Sequence, residues 1–240
     1  IYKTLILDSQ VSLSRSLAAP EEALVAIELD VARTFPALNV FREGGPLCAA
    51  LKSVLAAYAV FRPDVGYVQG MSFLGAVLAL NMEPADAFIC LANMLNGPCH
   101  RAAYALDGER MMAYFEAYKV ALAECLPRLH QHFVATGLTP DLYLLDWLYT
   151  VYAKAMPLDV ASRVWDLFLR DGDEFLFKAA LGVLHRYQDR LLDLDFVGGA
   201  QFLARLPQDM RADDLFRSIA RVSNTLGPAF AANLAQRVAS

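Results

Sequence analysis

Two side chains stand where they can act on something outside their own chain: Arg33, near the end of an amphipathic helical stretch, and Gln69, in a loop framed by Gly66 and Gly70. A guanidinium brings a permanent positive charge and a planar fork of donors, and a primary amide brings a donor and an acceptor with no charge. Asp30 precedes Arg33 by three residues, which on a helix is within reach of the guanidinium. Such a pair is either a surface ion pair worth less than about 1 kcal/mol or a device that holds Arg33 in one orientation. Gln69 has the same two readings, since a loop amide either satisfies nearby backbone groups or is presented to a partner. The residue types alone leave both choices open.

The elements around them follow from the helical period. Pro20 with Glu21 and Glu22 predicts a helix start, because proline suits the first helical position and acids favour the positive end of the helix dipole. Leu24, Ile27, Val31 and Phe35 form the apolar stripe, and Pro36 is expected to end the helix after Phe35. Arg33 lies about two and a half turns beyond Leu24 and therefore points away from the stripe. After Gly44-Gly45-Pro46, a second helix with Leu47, Leu51, Val54 and Tyr58 on one face leads to Arg62, and Pro63 stops it. The segment from Val65 to Met82 carries no charge, but Gln69, Ser72 and Asn81 make it a poor membrane span, so it reads as a buried core helix with no transmembrane segment.

Further helices are expected from Pro84 to Asn96, Met111 to Leu126, Pro127 to Thr136, after Thr139 as an N-cap, Leu158 to Leu169, Phe175 to Leu192, Phe196 to Leu206 and Asp213 to Val222, with a last one near the C-terminus. No alternating Val/Ile/Thr-rich stretch with a hairpin dipeptide appears, so the fold class is all-α. The stretch before Pro20, with an apolar opening from Ile1 to Leu7, reads as a short helix or a strap.

The 240 residues are 57% hydrophobic and 20% charged, enough for a sizeable core, and the net charge of −5 without a Lys/Arg block argues against nucleic acid as a partner. Cys48, Cys90, Cys99 and Cys125 form no Cys-x-x-Cys pair and are expected to be buried, reduced thiols of a cytoplasmic protein. The chain opens on Ile1 without a methionine, from which we expect a piece of a longer protein. Several chemistries fall away. Gly70-Met71-Ser72-Phe73-Leu74-Gly75 has its second glycine one place too late for a nucleophile elbow. His130 and His132 are spaced for different sides of a helix, Asp171-Gly172-Asp173-Glu174 lacks a calcium-loop ligand series, and no Gly-rich phosphate loop is present. Trp165 is expected in the core.

With these set aside, Ile27-Glu28-Leu29-Asp30-Val31-Ala32-Arg33-Thr34-Phe35-Pro36 resembles the Ile-x-x-Asp-x-x-Arg motif of TBC-domain Rab GTPase-activating proteins, and Tyr67-Val68-Gln69-Gly70 is similar to their Tyr-x-Gln-Gly motif. Arg163-Val164-Trp165-Asp166-Leu167-Phe168, with Asp171-Gly172 and Leu176-Phe177 beyond, resembles the third, structural motif, with Lys178 where many members carry arginine. The resemblance implies a single all-α TBC domain over residues 1–240 made of two helical halves, approximately 1–136 and 137–240. It implies that Arg33 is an arginine finger and Gln69 a glutamine finger, with Asp30, Tyr67 and Gly70 positioning them. The implied partner is a Rab small GTPase in its GTP-bound state, which brings the GTP and Mg²⁺, so no cofactor of the domain's own is expected. It further implies a cytoplasmic place in vesicle trafficking, peripheral to endomembranes, with recruitment through the Rab or through domains outside the chain. The alternatives are a catalytically silent TBC module that binds a GTPase as a scaffold, and a helical adaptor with no GTPase partner.

Overall fold

The structure is a computed structural model that describes residues 21–227 together with 230, 232 and 234. The opening strap and the helix-starting Pro20 lie outside the described residues, as does most of the expected last helix. The described residues form 13 α-helices and no strand. None of these helices is long and apolar enough to cross a membrane. The chain divides into two compact units, residues 1–105 and 106–240.

In the first unit, α1 (Glu21–Arg33) has acids in its first turn and Arg33 as its last residue, matching the helix dipole at both ends. It buries Ile27, Val31 and Asp30. The helix stops two residues short of the expected Phe35. Pro36 disfavours the α conformation at Phe35, which turns left-handed (φ 45°, ψ 58°) and opens a 3-10 turn, Pro36–Leu38. That backbone costs a non-glycine residue on the order of 1–3 kcal/mol and persists where its surroundings hold it. Here the Phe35 ring meets Phe73 edge-on at 5.4 Å and Phe41 at 6.4 Å.

Helix α2 (Cys48–Phe61) is the hub of this unit and packs against α1, α3 (Met71–Asn81) and α4 (Pro84–Leu95). Helix α3 is buried from Met71 to Ala79 save at Phe73, as the uncharged stretch predicts for a central helix, although residues 65–70 form a loop ahead of it. The short α5 (Pro98–Tyr104) completes the unit.

In the second unit, α10 (Asp173–Arg186) is central, buried from Phe175 to Leu184 save at Lys178. It packs against α6 (Gly108–Cys125), α8 (Leu144–Tyr149), α9 (Leu158–Asp171) and α13 (Ala212–Leu226). Helices α7 (Pro127–Thr136), α11 (Gln188–Leu192) and α12 (Phe196–Ala204) complete it. The break after residue 105 comes earlier than the approximate boundary at 136 because α6 packs with α10 and α13, and α7 with α11. The helix expected from Phe175 to Leu192 is interrupted at Tyr187, and Thr139 makes no side-chain cap, opening a 3-10 turn, Pro140–Leu142, instead of an α-helix.

Candidate functional site

The geometry is built on one buried carboxylate. Asp30 is only 4% exposed, and the helical turn that buries it points its side chain toward the loop before α3. Both of its oxygens are taken: Arg33 Nη2 donates to Oδ1, and the Tyr67 hydroxyl donates to Oδ2 at 2.7 Å. The Arg33 side chain remains 55% exposed while that of Asp30 is 6% exposed, so the guanidinium sits at the surface with its root fixed to a buried charge. Burial, reinforced by the Asp30 hydrogen bond and charge, raises the Tyr67 pKa well above that of an ordinary phenol. The hydroxyl therefore keeps its proton and its role as donor.

The loop carrying Gln69 is set from both sides. Upstream, Arg62 grips Asp64 through Nε–Oδ1 (2.8 Å) and Nη2–Oδ2 (2.7 Å), and the Val65 and Gly66 amides donate to the Arg62 carbonyl at 3.0 and 2.7 Å. The Arg62 hydrogen bonds hold the Asp64 carboxyl down at about 2. Downstream, Gly70 caps α3 at φ 105°, a conformation open to glycine and strained for any residue with a Cβ. The Met71 amide then donates to the Val68 carbonyl at 3.1 Å. Gln69 is left exposed on the turn, two residues past Tyr67. The structure thus joins Asp30, Arg33 and Tyr67 directly, with Gly70 shaping the turn that exposes Gln69.

Two residues of this site were not singled out from the sequence. Thr34 and Ser72 are 2% and 1% exposed, and their hydroxyl oxygens are 2.9 Å apart. The Thr34 hydroxyl also donates to the Asp30 carbonyl at 2.7 Å. A buried Thr directly after Arg33 was the available signal, but its partner lies 38 positions away.

Elsewhere, Ser72 is engaged in this network and unavailable as a nucleophile, and His132 Nε2 is 2.8 Å from the Leu194 carbonyl oxygen. Asp171 and Gly172 join α9 to α10, and Lys178 pairs with Glu174. Among the described residues no group of three or more His, Cys, Asp or Glu is arranged to hold a metal, and the four cysteines are thiols, of which Cys48 and Cys99 are buried as expected while Cys90 and Cys125 are only partly so.

The first unit is thus all-helical and fastens an exposed arginine, and a loop carrying an exposed glutamine, to a single buried aspartate. The Rab-GTPase-TBC domain family matches residues 7–192, and the chain belongs to that family. TBC1 domain family member 12 of Xenopus tropicalis is 55% identical over 207 residues, covering 86% of this chain and 30% of that protein. Human TBC1 domain family member 14 is 53% identical over the same length, with the same two shares. Drainin of Dictyostelium discoideum is 39% identical over 191 residues, 79% of this chain and 44% of that protein. The chain therefore spans about 30% of the length of the first two relatives. Among solved structures, the Chlamydomonas flagellar RabGAP TBC domain superposes with a TM-score of 0.78 at 25% identity, over 94% of this chain and 73% of that one. The Ypt/Rab-GAP domain of Gyp1p shares the fold, with a TM-score of 0.71 at 17% identity over 92% and 79%.

Proposed function

We propose that this domain accelerates GTP hydrolysis on a GTP-loaded Rab-family GTPase, supplying Arg33 and Gln69 in trans. The observation that carries the reading is the doubly engaged Asp30 carboxylate, which ties the helix end bearing Arg33 to the loop bearing Gln69. The GTPase contributes the nucleotide, its Mg²⁺ and the phosphate cradle, so an activator has two tasks left: positive charge for the phosphoryl transition state and alignment of the attacking water. Arg33 meets the first with a guanidinium already oriented by Asp30, which limits the side-chain ordering left for the encounter. Gln69 meets the second, because an amide can accept from water and donate to the phosphoryl oxygens while drawing no proton away. Tyr67 steadies the loop by donating its hydroxyl hydrogen bond to Asp30, and Gly70 lets the amide stand clear of the backbone. On this reading the domain acts in the cytoplasm at the endomembrane where its GTPase resides.

Phosphate release across a panel of GTP-loaded Rabs tests it. At least one Rab is expected to respond, and that Rab with its own water-aligning glutamine replaced should still respond to the wild-type domain but not to Gln69→Ala. A panel that binds the domain without any acceleration would favour the scaffold role instead.

A further inference from the structure

We propose that Thr34 and Ser72 are positioning residues: a buried hydroxyl latch that fixes the Gln69 loop relative to Arg33. The inference rests on the reading that Arg33 and Gln69 act together on a GTPase, and it concerns how the domain presents them at the same moment.

Thr34 directly follows Arg33, and Ser72 is the second residue of α3, three past Gln69. Their hydroxyls meet at 2.9 Å in a site closed to solvent, with exposures of 2% and 1%. A hydroxyl carries one proton and two acceptor sites. The Thr34 hydroxyl donates to the Asp30 carbonyl at 2.7 Å and lies 2.9 Å from Ser72 Oγ, and the Tyr67 hydroxyl separately donates to the Asp30 carboxylate at 2.7 Å. The turn of chain from Asp30 to Thr34 is thus bonded to both sides of the Gln69 loop, to Tyr67 before it and to Ser72 after it. Asp30 and Tyr67 alone fix the loop at one point, about which it can swing. Ser72 adds a second point on the other side of Gln69, and two points define an orientation. Phe35 supports the same junction, since its ring lies edge-on to Phe73, the residue after Ser72. A buried hydroxyl left without a partner costs more than a neutral bond gains, so each of the two attachments resists opening.

Displacing a reacting group by about 1 Å can cost on the order of 100-fold in rate, so a loosened latch should be read in turnover rather than in affinity. Thr34→Val, which keeps shape and removes the hydroxyl, and Ser72→Ala are each expected to lower the saturating single-turnover rate by about 10-fold to 100-fold with little change in the Rab concentration giving half-maximal rate. Thr34→Ser should restore most of the rate. The double variant should be no worse than the more damaged single one, as expected of two residues serving one bond. Wild-type rates in folded Thr34→Val, failure of Thr34→Ser to rescue, or independent additive losses would overturn the proposal. Amide exchange of the domain alone reads the latch without any GTPase: Thr34→Val should speed exchange at Met71 and Phe73, whose amides donate to Val68 and Gly70 carbonyls. If no Rab responds even to the wild type, the activator reading fails, and unchanged exchange at those two amides would overturn the latch separately.

Discussion

Both units contain a left-handed turn built from residues other than glycine, and the two are braced in opposite ways. In the first, Phe35 (φ 45°) follows the end of α1, and beside it the Tyr67 hydroxyl and the exposed Arg33 share the buried Asp30 carboxylate. In the second, Val151 and Tyr152 (φ 44° and 63°) follow α8, and the groups holding them end inside the unit. Trp165 Nε1 donates to the Val151 carbonyl at 3.0 Å and the Tyr152 hydroxyl to the Leu176 carbonyl at 2.6 Å. Trp147 Nε1 likewise donates to the Leu203 carbonyl at 3.1 Å. A buried donor that ends on backbone fastens one element of the unit to another. One that ends on a buried carboxylate shared with a half-exposed arginine holds, on the proposed reading, a side chain ready for use. From this difference we expect changes around Arg33 to reduce rate at nearly constant stability, and changes around Trp165 to reduce stability at constant rate per folded molecule.

The largest effect is expected at Arg33. Arg33→Ala should lower stimulated GTP hydrolysis by about 10³- to 10⁵-fold, equivalent to about 4–7 kcal/mol of barrier. Arg33→Lys should recover little, because an ammonium keeps the charge and loses the fork. The fold should hold with a modest drop in melting temperature, since the guanidinium is half exposed and Asp30 retains the Tyr67 hydroxyl, although that buried carboxylate loses its counter-charge. Single-turnover rates beside thermal melts decide it: an active variant removes Arg33 from the mechanism, and an unfolded one makes the first unit's network structural, like the second's.

Next is Trp165→Ala. It empties a site in which Trp165 is 3% exposed and strips the Val151 carbonyl of its donor, so the loss should be roughly 3–5 kcal/mol in denaturant titrations. The surviving folded fraction should stimulate hydrolysis normally. A stable variant with a selective loss of stimulation would move Trp165 into the interface and erase the contrast.

What the sequence revealed of this contrast depended on how local the interactions are. Arg33 was legible because exposure on a helix follows from its angle to Ile27 and Val31, both fully buried. Pro84, Pro127 and Gly137 marked helix limits that the structure keeps, since each acts on its own backbone. The Asp30–Arg33 pair was also local. The Tyr67 contact with Asp30 entered only through resemblance, and the Thr34–Ser72 bond did not enter at all, because both join residues nearly forty positions apart and depend on how α1 meets α3. The early end of α1 was hidden for a related reason: Phe35 is held left-handed by rings at positions 41 and 73. Thr139 carried the right residue type for a cap, yet its side chain makes no cap bond and the chain from Pro140 makes only a 3-10 turn.

The smallest expected effect sharpens the comparison most, because it leaves every hydrogen bond in place. Gly182 lies in the middle of α10, where a Cβ would sit 2.4 Å from Ile219 Cγ1 and 3.1 Å from both the Ile219 amide nitrogen and Cα of α13. On an exposed helix, Gly→Ala would stabilise by roughly 0.8–1 kcal/mol through propensity. Here the side-chain atom can swing aside but the neighbouring backbone can yield only if α13 shifts as a whole. Overpacking of this kind costs about 1–3 kcal/mol, so Gly182→Ala should be destabilising on balance. Its stimulation of a responsive Rab, measured per folded molecule, should equal that of the wild type. A gain in stability would mean that α10 and α13 separate easily. A fall in rate with stability unchanged would mean that the packing of α10 is felt at Arg33 and Gln69, and that the division of labour between buried groups ending on backbone and those ending at the surface does not hold.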